Sequence, residues 1–349
     1  MNWVKFNRLT KLLLRLVFST GLIGFFSLLL FEGIYRNYWF DFYRTVFRYH
    51  DRSSVQTAKL KQPKVGVFGD SFGAQAYNYA KLLADSSCYQ IKNYSISGTS
   101  VNDQMVFAHK KINLEKPEIV IFQLYVGNDL LEIKPPVNWQ QLPLLRNLYW
   151  SLTPYFKSLR FLNFEFGQWR ALTNNQLEQL GPIPGNFSVE KYSPRTKLYL
   201  LADSSYLAET INLNGYYYKR FLKLVKGYQS IIEKIDYPVT VYFLVIPHCV
   251  QTHQRYVQHY LSMGMRPSNN LNSPIFPLLD SLQQQFKSAH IINPLPIFQA
   301  LEKDSIRLYY NNDPHLMPTG QYYLYKQVNQ TLEQHIPCIS MLPINKQHD

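Results

Sequence analysis

Cysteine is scarce: Cys88, Cys249 and Cys338 are the only three, far apart and without a Cys-x-x-Cys spacing. That argues against a zinc site or a redox pair. Outside the cytoplasm two of them have the option of pairing, with nothing in the sequence to choose which; three buried free thiols are the plain alternative. Internal repeats, low-complexity tracts and heptads are missing, which removes solenoids and coiled coils. Acidic residues are few, 23 against 36 Lys and Arg, for a net charge of +13. Such a balance raises the question of nucleic acid. Beyond the first 60 residues, however, there is neither a Lys/Arg stripe nor a nucleic-acid motif, so no such partner is expected.

The charge is uneven. Residues 1–60 carry nine Lys/Arg against Glu32, Asp41 and Asp51. A basic flank beside an apolar run marks a membrane-surface segment. No residue in 16–31 is charged, and Leu12, Leu13 and Leu14 extend the run behind Arg15, which can snorkel to the headgroups. As a helix, 12–31 spans about 30 Å at ~1.5 Å per residue, the thickness of a hydrocarbon core. A cleaved signal peptide has a shorter apolar part and small residues at its cut site. Here Glu32-Gly33-Ile34-Tyr35-Arg36 follows instead. The expected organisation is therefore a cytoplasmic tail (1–11), a transmembrane anchor (12–31) and an aromatic, basic membrane-proximal linker (32–61). Lys5, Arg8, Lys11 and Arg15 keep the tail inside and export the rest, to the periplasm in a Gram-negative bacterium. Tyr38, Trp39, Phe40, Phe42 and Tyr43 read as an aromatic belt or an interfacial helix.

The remainder, 62–340, alternates strands and helices. Val65-Gly66-Val67-Phe68, residues 89–96, Ile119-Val120-Ile121-Phe122, residues 239–246 and residues 290–293 read as strands. One helix is expected after Ser71, others over 101–114, 221–235 and 321–335. The pattern implies an α/β domain, a three-layer α/β/α sandwich with a mostly parallel, flavodoxin-like sheet. Residues 131–215 break the rhythm with prolines, aromatics and turn signals, as an insertion or lid with short helices of its own would.

Four short sequences recur at strand ends: Gly69-Asp70-Ser71-Phe72, Ser97-Gly98-Thr99, Gly127-Asn128-Asp129 and Asp313-Pro314-His315. Each alone has a plain structural explanation. Ser71 suits a helix cap, Asn128 a turn, Gly98 a positive φ, and His315 a turn histidine. Four in order, each at the carboxyl edge where open α/β sheets place their sites, point to chemistry instead. Together they resemble the SGNH (GDSL-like) hydrolase family over about residues 63–335, the insertion excepted. The last block is Asp-x-His, tighter than the family's commoner Asp-x-x-His and similar to the shorter forms of its sugar-acylating relatives.

The resemblance implies Ser71 as nucleophile, His315 as its base and Asp313 as the group that orients the imidazole, although a backbone carbonyl does so in some members. It also implies an oxyanion hole of the Ser71 and Gly98 N–H groups and the Asn128 amide, with no cofactor or metal. His248, after the fourth strand, falls on the same edge and is a candidate pocket residue. Asp70 and Asp129 read as loop braces. The expected activity is ester hydrolysis of an acylated, most simply acetylated, envelope glycan. The rival is acyl transfer to such a glycan from a membrane-bound acyl-donor partner, since the anchored architecture resembles accessory proteins of exopolysaccharide acetylation. A glycan- or partner-binding module without turnover and an assembly factor are the non-enzymatic readings. The intact Ser71–His315 pair argues against the first, and no heptads or repeats support the second.

Overall fold

The computed structural model describes residues 3–46, 62–133, 143–159, 162, 185–269, 271 and 276–336, with only the backbone given for 3–9 and 39–46. Five parallel strands form one sheet in the order β2-β1-β3-β4-β5. They are β1 (Lys64–Phe68), β2 (Gln90–Asn93), β3 (Ile119–Tyr125), β4 (Thr240–Ile246) and β5 (His290–Ile292). This is the flavodoxin-like doubly wound order, and it turns the carboxyl ends of β1, β2 and β3 toward one crevice.

The helices of the first half are α1 (Trp3–Val46), α2 (Ser71–Ala74), α3 (Tyr79–Ser86), α4 (Val101–Glu115), α5 (Asp129–Ile133) and α6 (Leu144–Leu152). Next come α7 (Pro194–Ala202), α8 (Tyr206–Asn212), α9 (Gly215–Ile232), α10 (Cys249–Thr252) and α11 (Gln254–Ser262). The chain closes with α12 (Pro277–Gln285), α13 (Leu295–Lys303) and α14 (Pro318–His335). Helices cover both faces of the sheet: α4 packs on α9, and α3 on α14. Aromatic rings in tilted contact run through the core, with Phe122 5.8 Å from Phe68, 5.8 Å from Phe243 and 5.0 Å from Tyr228. Cys88 is disulfide-bonded and Cys249 is a buried free thiol, while Cys338 lies outside the described residues.

Three features depart from the sequence expectation, each for a local reason. β3 continues past Phe122 to Tyr125 with all seven residues buried. Gln123 interrupts the apolar run, but its side chain is satisfied inside by Asp70 and by the Tyr79 hydroxyl at 3.1 Å. The helix expected after Ser71 is two helices. Gln75 leaves helical geometry, and Asn78 restarts it by accepting the Lys81 N–H at 2.8 Å, the role Asn fills at an N-cap. The N-terminal helix runs on beyond residue 31 to Val46, broken only at Tyr38. Its stretch Thr10–Tyr38 is long and apolar enough to cross a membrane. Residues 47–61 of the expected linker lie outside the described residues.

Gln321 ties α14 across the break between α2 and α3. Its Oε1 accepts the Tyr79 N–H at 3.0 Å, and its Nε2 donates to Phe72 O at 3.1 Å and Gln75 Oε1 at 3.0 Å. Gln321→Ala strands the Tyr79 N–H and the Phe72 carbonyl in the interior, a loss of about 1–3 kcal/mol. A lowered thermal unfolding midpoint of the detergent-solubilised protein is the expected outcome; an unchanged midpoint contradicts the assignment.

Candidate active site

Directly after β1 the chain turns through Gly69 and Asp70 into α2. Asp70, not Ser71, caps that helix: its Oδ1 accepts the Phe72 N–H at 3.0 Å and also the Gln123 amide. Ser71 is thereby spared the capping role, and its hydroxyl turns outward. The opposite partner arrives on the loop before α14. A bridge between Tyr309 and Leu316 and the Tyr310 N–H to His315 O bond (3.2 Å) fix that loop. His315 Nε2 lies 2.7 Å from Ser71 Oγ, and its Nδ1 is hydrogen-bonded to Asp313 Oδ1. The same Oδ1 accepts the His315 backbone N–H at 2.8 Å, a double grip that the two-residue spacing permits. With Nδ1 donating to Asp313, Nε2 is the acceptor facing the serine. The imidazole also packs on Phe72, ring centroids 5.0 Å apart.

Gly98 and Asn128 line the same cavity, which holds about 90 Å³ and is bounded also by Ser71, His248 and His315. Gly98 has φ +72°, a conformation that only glycine adopts freely. Gly127 has a different constraint: any Cβ there collides with the Tyr125 ring. Asn128 Nδ2 donates to Glu132 Oε1 at 3.1 Å, which orients the amide while leaving its second N–H available.

The described part of the insertion builds one wall of this cavity. Ser193, Arg195, Thr196 and Tyr199 of its later half line the cavity together with Ser71. Arg195 pairs with Glu132 at 2.6 Å and donates to the Tyr199 hydroxyl at 2.6 Å, while Tyr199 donates to the same Glu132 oxygen at 2.9 Å. Glu132 therefore gathers Asn128, Arg195 and Tyr199 on one carboxylate. Asn312 locks the histidine loop to the insertion by accepting the Ser188 N–H at 2.8 Å and the Ser193 N–H at 2.9 Å. Sequence reasoning missed all four of these residues. Only Glu132 left a signal, standing one helical turn after Asn128.

No family model matches the chain, and no curated protein matches it. Among solved structures it is similar to a lipase/acylhydrolase from Enterococcus faecalis, at 12% identity over 78% of this chain and 96% of that one, TM-score 0.38. It is also similar to the acetyl xylan esterase AlAXEase, at 12% identity over 77% and 99%, TM-score 0.39. A third is an acetylxylan esterase from Geobacillus stearothermophilus, at 11% identity over 78% and 95%, TM-score 0.37. At such TM-scores these similarities carry no argument about activity, which rests on the geometry above.

Electrostatics separates the two histidines. Burial pushes His248 down to about 3, so it stays neutral. Its Nδ1 accepts the Val250 N–H at 3.3 Å, so Nε2 carries the proton toward the Tyr260 hydroxyl 3.0 Å away. Both nitrogens are committed, which leaves His248 as a wall and not a base. For His315, burial opposes the charged form, but the Asp313 carboxylate and, behind it, Asp70 outweigh that and raise it above the ordinary 6.5. Burial likewise pushes Asp70 up to about 6, only partly offset by the Phe72 N–H. Asp129 is raised further, by burial and then by Asp70, and accepts the Tyr125 N–H at 2.8 Å. These two carboxyls brace the loops.

A base works only while unprotonated. Esterase kcat/KM is therefore expected to fall toward acid along a limb lying above pH 6.5, the ordinary histidine value. Asp313→Asn removes the raising charge. It is expected to move the limb to lower pH and cut the plateau by about 10²–10⁴-fold. A limb that stays in place in Asp313→Asn contradicts the assignment.

Proposed function

We propose that this chain is an SGNH-type serine esterase that removes a short acyl group from an acylated carbohydrate at the cell envelope. The observation that carries this is the 2.7 Å contact of His315 Nε2 with Ser71 Oγ, with Asp313 on the far side of the imidazole. Ser71 Oγ attacks the ester carbonyl carbon while its proton passes to His315 Nε2. The Ser71 and Gly98 N–H groups and the Asn128 amide are the donors assigned to the oxyanion. Collapse breaks the bond to the alkoxy oxygen, which leaves with the proton from His315. Water then attacks the acyl-enzyme, His315 takes its proton, and Ser71 is regenerated with release of the acid. This scheme uses only the chain's own residues.

The cavity's size speaks to the acyl group. The cavity is small, about 90 Å³, which favours a short acyl group such as acetyl. Transfer to a sugar hydroxyl uses the same acyl-enzyme with a different acceptor. The Asp313-Pro314-His315 spacing, similar to sugar-acylating relatives, and the apolar helix Thr10–Tyr38 favour it as the second reading, with a membrane-bound acyl donor.

The full-length protein in detergent is expected to release acetate from an acetylated xylan oligosaccharide or a simple acetyl ester. Ser71→Ala should abolish turnover with an unchanged unfolding midpoint, and Asn128→Ala should slow it by about 10²–10³-fold. Ser71→Ala protein that keeps full activity refutes the reading. Acetyl appearing on an added glycan in place of free acetate selects transfer over hydrolysis.

A further inference from the structure

Helix α6 is built inside out. At about 100° of turn per residue, Leu144, Leu145, Leu148 and Leu152 share one arc, and Arg146, Asn147 and Trp150 share the opposite one. In an ordinary surface helix the leucines face the core. Here Leu144, Leu145 and Leu148 are 61%, 50% and 47% exposed, while Arg146, Asn147 and Trp150 are buried. Tyr155, just beyond the helix, is exposed as well. An apolar face turned out of the protein on a helix that buries Arg146 and Asn147 marks a contact with an apolar partner or medium.

The residues after α6 show which medium. The Lys157 and Ser158 N–H groups each donate to a Glu32 carboxylate oxygen at 2.8 Å, and Arg36 donates to Tyr155 O at 2.8 Å. Glu32 follows the uncharged run of α1 directly, and it is buried together with Tyr35. The loop after α6 is thus clamped to α1 where its apolar stretch ends. Lys157 also pairs with Asp103 at 3.7 Å, and Asp103 accepts the Ser100 N–H at 3.0 Å at the start of α4, two residues after Gly98. The clamp, α6 and the carboxyl edge of the sheet therefore lie on one side of the domain. On its inner face, Trp150 meets Tyr199 of the cavity wall, ring centroids 5.7 Å apart.

We propose that α6 is an interfacial helix whose Leu144, Leu145 and Leu148 face enters the bilayer beside the anchor, so that the catalytic edge is held at the membrane surface. Such a face sits about 5–10 Å into the boundary between headgroups and acyl chains. The occupant is lipid, and the inference rests on α1 spanning the membrane.

The test uses the full chain in lipid nanodiscs with a solvent-sensitive fluorophore on one introduced cysteine at a time, the parent chain labelled in parallel as the blank. Leu148→Cys reports α6 and Ile23→Cys the span. Leu114→Cys, 73% exposed, reports the far end of α4, about 16 Å along that helix from Asp103. Expected is quenching at position 148 by lipids nitroxide-labelled near the headgroup, at position 23 by lipids labelled deep in the chain, and at position 114 by neither. Quenching at 23 with none at 148, or at a second α6 probe, Leu145→Cys, overturns the inference and leaves the anchor standing. No quenching at 23 overturns the membrane span and the inference together. Either result leaves the esterase reading, read separately from acetate release, untouched.

Discussion

The hydrogen bond between His315 and Ser71 is the constraint that the rest of the structure serves. It joins residues 244 apart in sequence, and it forms only if the end of β1 and the loop before α14 meet at one edge of the sheet. The parallel register of β1 with β2 and β3 sets that edge. Gln321 holds α14 against the turn that carries Ser71, and Asp70 takes the capping duty that would otherwise engage the serine. Asp313 then fixes the imidazole from a position two residues away, with one oxygen serving both the ring and the backbone N–H.

Around this bond the protein concentrates buried carboxyl groups, whose burial opposes their ionised form. Asp70 and Asp129 are raised by burial, while Glu132 accepts from Asn128 in the turn after β3 and from Arg195 and Tyr199 on α7. A carboxyl taken out of water needs donors, and one oxygen of each of these three finds them. That requirement makes the insertion part of the candidate site: Arg195 and Tyr199 reach back to Glu132, and Asn312 fastens the histidine loop to Ser188 and Ser193. Tyrosine does much of this work, because its ring fills the core while its hydroxyl closes a hydrogen bond, as in the Tyr192–Tyr260–His248 chain.

The strands, their parallel sheet and the four blocks were legible because each leaves local signals: short apolar runs closed by Pro or Gly, and small polar residues at strand ends. The blocks carry Ser71, Gly98, Asn128, Asp313 and His315, and His248 is marked by its place after the fourth strand; the cavity brings Ser71, Gly98, Asn128, His248 and His315 together. What escaped the sequence depends on long-range pairing. Gln123 looks like a strand breaker until Asp70 and Tyr79 are seen to satisfy it. Asn78 restarts a helix inside what reads as one periodic stretch. Arg195, Tyr199 and Asn312 carry no motif, and only their partners reveal their roles. The outward leucines of α6 fall in the stretch that breaks the strand–helix rhythm, and a sequence shows that a face is apolar but not which way it points.

The central claim is that Ser71 is an activated nucleophile. It is tested most directly by treating the detergent-solubilised protein with a fluorophosphonate and locating the adduct by mass spectrometry. The account predicts a stoichiometric adduct on Ser71 that is lost in His315→Ala. A folded protein that leaves Ser71 unmodified, or that labels it equally well without His315, contradicts the account.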